Sequence, residues 1–267
     1  MKNNRIIQLL FIFACILFYS CKEKETALGI LQKTINSIDS IETIYYKQDM
    51  TRSNPRNMND TIFRYREMYF KRLRSDSIVG VKGHWYMYSD DKINVRFEDV
   101  YDGKRLIRMN NRDSIATIFD LEKYPDFKKK HFWSHNTLYG MQHEFRHMLA
   151  HQDSYSIVRL NDTIAGDKNC FKILVKLENK MSMPGFMSKL EDNKGIVSET
   201  LYIIDKKTYY VIRMRGENYN LKTPDQKIFI DQKYYDIKFN LKIDESKQFD
   251  TSNKSINEFE KRNVKPS

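Results

Sequence analysis

Cys170-Phe171-Lys172-Ile173-Leu174-Val175-Lys176-Leu177 sets the architecture. Phe171, Ile173, Val175 and Leu177 fall on one side of an extended chain, and Cys170, Lys172, Leu174 and Lys176 fall on the other. A half-buried antiparallel strand needs this period of two, with one face on a core and one toward water. The pattern returns downstream, where Tyr235, Ile237, Phe239, Leu241 and Ile243 oppose Asp236, Lys238, Asn240 and Lys242. Outward from these two runs, the same reading predicts strands over 44–51, 61–72, 78–88, 93–101, 105–110, 114–119, 156–161, 198–205, 209–215 and 226–243. Tyr101-Asp102-Gly103-Lys104 signals a tight hairpin, since Asp-Gly tolerates the positive φ angles of a type I′ turn.

Two segments break the period. Thr26 to Ile44 carries Leu28, Leu31, Ile35, Ile38 and Ile41 at helical spacing, and Ser134 to Ala150 forms a second helix between strand groups. Helix, many strands, helix and more strands, without βαβ alternation, predict an α+β domain over 27–243. Its large curved antiparallel sheet, an incomplete barrel, packs on two helices. Glu178 to Gly195 reads as a loop or short helix. Residues 244–267 lack any period and read as a flexible polar tail.

Composition narrows the function. The 267 residues are 40% hydrophobic and 30% charged, with nine glycines and five prolines, which excludes disordered and collagen-like chains. Three cysteines cannot build a four-cysteine metal site or a disulfide-rich scaffold.

The amino terminus predicts export. Lys2 and Arg5 precede an apolar run from Ile6 to Tyr19, too short for a spanning helix, which needs about 20 residues. Ser20-Cys21 closes the run and the charged tether Lys22-Glu23-Lys24-Glu25 follows. This resembles a bacterial lipobox, with tyrosine at the position two before the cysteine where a small residue is usual. Serine before the cysteine is frequent in the Bacteroidota. The resemblance implies a signal peptide over 1–20, a tether over 21–26 and acylation of Cys21. Several chains, palmitate among them, would then fix the protein stably to the outer membrane, facing the periplasm or the cell surface. The Lys-Glu run also resembles the export signal of surface-displayed lipoproteins. Cleavage leaves Cys170 as the one thiol beyond the anchor, which excludes dithiol chemistry. Losing Lys2 and Arg5 takes the formal charge of +11 to +9. These cations alternate with apolar residues along strands, so nucleic acid is not an expected partner.

The element order, the lipobox, and stretches such as Val100-Tyr101-Asp102-Gly103-Lys104 and 202–212 resemble the LolA/LolB/LppX-like superfamily of lipoprotein carriers. They also resemble the non-catalytic amino-terminal region of Bacteroidota TlpA-like exported proteins. The superfamily implies a half-barrel whose concave face holds acyl chains. Trp85, Met87, Phe186 and Met187 suit such a face. No Cys-x-x-Cys is present, so the redox chemistry of TlpA-like proteins is not implied.

Two motifs remain. His143-Glu144-Phe145-Arg146-His147 matches H-E-x-x-H, in which histidines four apart share a zinc ion and the glutamate acts as general base. His151 extends the row, and His131 and His135 lie upstream. On a helical projection, however, His143, His147 and His151 lie opposite Leu138, Met141, Phe145 and Met148, on the polar face. Asp-Ser/Thr-Ile recurs at Ser40, Thr61, Ser77, Ser114 and Thr163. It resembles the O-glycosylation acceptor of exported Bacteroidota proteins, and it equally suits turns in which these side chains bond their own backbone. No phosphate loop, dinucleotide turn, nucleophile elbow or spaced carboxylate pair is present. The sequence therefore predicts a non-enzymatic, cofactor-free, lipid-anchored envelope protein that binds a hydrophobic ligand or an envelope protein partner. A zinc hydrolase built on His143, Glu144 and His147 is one alternative, and an accessory lipoprotein filled by its own side chains is another.

Overall fold

The computed structural model describes residues 25–54, 57–89, 92–130, 138–182, 190–252 and 256–264. Helix α1 (Ala27–Asp39) starts where Thr26 Oγ1 accepts the Gly29 N–H at 3.1 Å. It leads into β1 (Thr43–Asn54), β2 (Asn57–Arg72), β3 (Val81–Tyr88), β4 (Val95–Tyr101), β5 (Arg105–Asn110) and β6 (Ile115–Asp120). Helices α2 (Asp126–Lys130) and α3 (Leu138–Ala150) follow. The chain returns through β7 (Ser156–Arg159), β8 (Thr163–Ala165), β9 (Lys168–Ser182), β10 (Leu190–Asp205), β11 (Val211–Asn220) and β12 (Thr223–Phe239). It ends with α4 (Glu245–Gln248) and β13 (Glu260–Val264).

Among the described residues, all 13 strands belong to one sheet, ordered β13-β6-β5-β4-β3-β2-β1-β12-β11-β10-β9-β7, with β8 beside β9. Every pairing is antiparallel except β13 on β6. The end strands β13 and β7 do not pair with each other, so the sheet curls without closing. The α+β half-barrel expected from the sequence is the architecture observed.

Helices α1 and α3 pack together on the concave face. Ile30, Leu31, Ile35 and Ile38 of α1 are 0–1% exposed, and Leu138, Met141, Phe145 and Met148 of α3 are 0–3% exposed. They meet Tyr46, Phe70, Ile173 and Tyr202 from the strands. Phe145 stands edge-on to Tyr202, with ring centroids 4.9 Å apart. Among the described residues, no helix is long and apolar enough to cross a membrane.

Four expectations need correction. The period-two reading carries Tyr235 onto the face of Ile237 and Phe239, yet Tyr235 is 40% exposed while Gln232 and Tyr234 are buried. The β1–β12 register slips between Tyr45 and Lys47, opposite Asp236, whose φ is +51°. This bulge inserts one residue and reverses the phase of β12. The hairpin at Asp102-Gly103 exists, but only Gly103 has positive φ there, so it is not the type I′ form, which needs two such residues. A Cβ on Gly103 would stand 2.6 Å from Leu73 Cδ2, which reserves the position for glycine. Residues 178–182 and 190–195 extend β9 and β10 and form no helix.

The fourth correction concerns 244–267, whose described residues, 244–252 and 256–264, include a short helix and a strand. It crosses the outer face as a strap, where Ile256 is fully buried against Val100, Ile107, Met109, Ala116 and Ile118. Then β13 adds to the edge of β6. A strap held by a few isolated apolar residues and backbone hydrogen bonds carries no period for a sequence reading to detect.

Candidate functional site: the concave face

Which residues face inward follows from register, because directly paired antiparallel residues share a face. Gln48 pairs with Arg66 and Tyr234, Met50 with Arg64 and Gln232, and Arg52 with Ile62 and Ile230. Arg66 pairs with Met87, and Met214 with Tyr202 and Gln232. Tyr46 and Tyr202 on this face belong to the main core, so the whole row points inward. The concave face thus joins soft apolar side chains (Trp85, Met87, Met214, Ile230) to a polar group from the middle strands.

That polar group is internally bonded. Tyr234 donates its hydroxyl to Gln232 Oε1 at 2.7 Å, and Gln232 Nε2 lies 3.7 Å from Met50 Sδ. Arg66 Nη1 donates to Gln48 Oε1 at 3.3 Å. Burial pushes the Tyr234 hydroxyl well above the usual phenol range and lowers the Arg66 pKa. Asp99, whose charge reaches Arg66, is engaged by Arg108 through Nε at 2.9 Å and Nη2 at 2.7 Å.

The histidine motif divides in space. His143 and His151 are exposed on the outer side of α3, while His147 is half-buried with Nδ1 3.1 Å from the Tyr155 hydroxyl. The His147 and His151 rings stack at 4.2 Å. Glu144 turns the other way, into the concave face, where its Oε1 accepts the Tyr202 hydroxyl at 3.1 Å. Burial raises the Glu144 pKa, and the Tyr202 hydrogen bond offsets part of the rise. A zinc-bound arrangement needs Glu144 beside the two histidines, and the helix sends them in different directions. Among the described residues, no three His, Cys, Asp or Glu side chains are grouped to hold a metal. His131 and His135 lie outside the described residues.

Cys21, Phe186 and Met187 also lie outside the described residues. Glu25, within the charged tether, is fastened to the body. Its carbonyl accepts Arg159 Nη1 at 2.6 Å, and its carboxylate takes the Tyr209 hydroxyl at 2.8 Å and the Lys33 ammonium. Of the five Asp-Ser/Thr-Ile hydroxyls, Ser40, Thr61, Ser77 and Ser114 are exposed and Thr163 is half-buried. Cys170 is fully buried with Ile203 and Ile212 on the outer face, and burial together with Asp205 raises its pKa. A cleft of about 470 Å³ beside the β4–β5 hairpin holds Asp76, which accepts Tyr101 Oη at 2.6 Å and Lys128 Nζ at 3.2 Å. Those charges satisfy one another.

The sequence reading missed Gln48, Arg52, Arg66, Gln232 and Tyr234. A signal existed: counting by twos from Ile44 and Tyr46 puts Gln48 and Arg52 on the core side.

No family model matches the chain, and neither does any curated protein sequence. The structure is similar to solved structures. Lipoprotein LppX of Mycobacterium tuberculosis aligns at 6% identity and TM-score 0.45, over 82% of this chain and 98% of that one. The MucA/MucB complex of Pseudomonas aeruginosa aligns at 10% identity and TM-score 0.46, over 88% of this chain and 62% of the other. A LolA superfamily protein of Nitrosomonas europaea aligns at 10% identity and TM-score 0.34, over 85% of this chain and 99% of that one. LppX and LolA are the names the sequence resemblance gave; none of these three carries the TlpA-like association.

Proposed function

We propose that this chain is an exported, non-enzymatic envelope protein, anchored in the outer membrane by acylated Cys21, that holds a hydrophobic ligand on the concave face of its sheet. One observation carries the reading. A wide sheet that curls without closing turns Trp85, Met87, Met214 and Ile230, all only half-buried, toward its own interior, with Trp85 and Met214 at the margin of the core under α1 and α3. Methionines and a tryptophan adapt to ligands of irregular shape.

The anchor fits this geometry. Glu25 is tied to Arg159, Lys33 and Tyr209, so only a few residues separate Cys21 from the folded body. At about 3.3–3.6 Å per extended residue, the body would ride within roughly 15 Å of the lipid surface. The exposed Ser40, Thr61, Ser77 and Ser114, with Thr163, are the proposed O-glycan acceptors, and intact mass against sequence mass tests them.

The central test has two parts. Labelled palmitate should enter the wild-type chain and fail to enter Cys21→Ala; incorporation into neither ends the lipoprotein reading. Mass spectrometry of protein extracted under native conditions should find a co-purifying apolar molecule. Its absence, together with failure to bind a fluorescent fatty-acid probe, would leave a structural accessory protein as the better account.

A further inference from the structure

Among the described residues, two arginines of the concave face have no carboxylate within ion-pairing distance. Arg66 makes one hydrogen bond, to the neutral Gln48, and has no carboxylate within ion-pairing distance among the described residues. Arg52 stands two pairs along the same face, paired across β1 and β2 with Ile62, and its Nε is buried without a hydrogen-bond partner. Met50 lies between them on β1, and Met87 flanks Arg66 on β3. The two carboxylates described on this face are both engaged, Asp99 with Arg108 and Glu144 with Tyr202.

An inward-facing guanidinium without a partner is costly. Burying a charge without pairing it takes several kcal/mol, so native chains seldom keep one without a use. On the opposite face of the sheet, Lys47 pairs with Asp236 and Arg213 with Asp231. Had the inner positions been only structural, leucine or methionine would serve better.

Resting on the ligand-binding reading above, we infer that the concave face selects an anionic amphiphile, an acyl chain with a carboxylate or phosphate head. The head is received by Arg66 and Arg52 and the chain by Met50, Met87, Met214 and Ile230. The guanidinium fork matches either head in bidentate geometry. Gln48 borders the head position, and its Nε2, buried without a hydrogen-bond partner, can donate a further hydrogen bond to it. Burial lowers the Arg66 pKa, and an anion docked there would restore it.

The test is calorimetric titration of the full mature chain with three probes of equal chain length: oleate, oleoyl-lysophosphatidylglycerol and oleyl alcohol. At least one anionic probe should bind roughly 10–100-fold more tightly than the alcohol, the range expected for charge-assisted hydrogen bonds in a dry site. Whichever anionic probe binds better identifies the head. Arg66→Gln and Arg52→Gln should bring the anionic probes down to the alcohol's affinity and leave the alcohol unchanged, while Arg66→Lys should keep part of the preference. Circular dichroism melts confirm that each variant is folded. Equal affinity for the alcohol and both anions in the wild type overturns the inference and leaves the hydrophobic-ligand reading standing. Binding of none of the three overturns both.

Discussion

The two faces of the sheet are built from similar residues under opposite rules. On the outer face, charge is matched locally: Arg213 grips Asp231 at 2.9 and 2.6 Å, and Glu217 sits between Arg215 and Lys227. Glu67 accepts three tyrosine hydroxyls, from Tyr45, Tyr69 and Tyr88, at 2.8–3.1 Å. The inner face holds the large core under α1 and α3 and then, farther along the same strands, Arg52 and Arg66, which have no carboxylate partner among the described residues. Water makes pairing on the outside nearly neutral in energy, so those ion pairs say little about purpose. Arg52 and Arg66 act against stability, unlike the paired Arg108 and Asp99, and departures of that kind concentrate where a protein does its work.

The strongest way to break this comparison is to hollow out the inner face. Phe145→Ala removes a fully buried ring that stands on Tyr202. It should cost about 3–5 kcal/mol in urea unfolding at unchanged m-value. A loss under about 1 kcal/mol would mean that α3 is a loose cover and not the centre of the core. Ile256→Ala strikes the outer face at the apolar cluster under the strap. The expected cost is near the lower end of the 2–5 kcal/mol range for such truncations, because a small cluster at an edge can collapse around the gap. If the strap folds independently of the sheet, the global transition will not move and only local proteolysis near residue 256 will rise.

How much of this was legible in the sequence depends on period. Phe171, Ile173, Val175 and Leu177 are buried, and Lys172, Leu174 and Lys176 are half-exposed, as the alternation required, while Cys170, on the same side as the lysines, is buried in an outer cluster. That strand is regular, so a count by twos suffices. In β12 the count fails at Asp236, because a bulge is a backbone event that leaves no mark on the hydrophobic pattern. The strap was invisible for a related reason: Phe249 and Ile256 are isolated apolar residues in polar surroundings, and only the sheet they rest on makes them core. The site residues Arg52 and Arg66 looked like ordinary strand cations, since inward and outward phase is fixed only when the neighbouring register is known. The histidine motif was the reverse case, legible as letters but separated by the helix that carries it.

Glu144 sharpens the inner-face rule through pH. Burial raises its pKa in the folded state, so the native protein keeps this proton to higher pH than the unfolded chain does. Stability from the group is therefore complete below the unfolded value of about 4.3 and declines as pH rises through the folded value. Glu144→Gln, which imitates the neutral acid, should melt about 2–4 °C higher than wild type near pH 8, corresponding to roughly 1 kcal/mol in a chain of this size. The two proteins should converge toward pH 4. A lower melting point at pH 8, accompanied by loss of stoichiometric zinc, would instead revive a metal role for His143, Glu144 and His147.

The smallest effect belongs to the outer face. Arg213 is 41% exposed at its side chain, and Asp231 beneath it is 13% exposed. Arg213→Met keeps the stem that covers the sheet and removes only the charge. Solvent screening limits the pair to about 1 kcal/mol or less, and the bidentate geometry keeps it above zero. The difference between Arg213→Met and wild type should shrink further in 1 M salt, where the Debye length falls to about 3 Å. Arg66→Met on the inner face should show no such salt dependence and should raise the stability of the unliganded protein, because it deletes a buried charge that makes no ion pair among the described residues. Finding the same sign and the same salt response at both positions would mean that water reaches the two faces equally, and that the unpaired arginines inside are solvated side chains with no anion to receive.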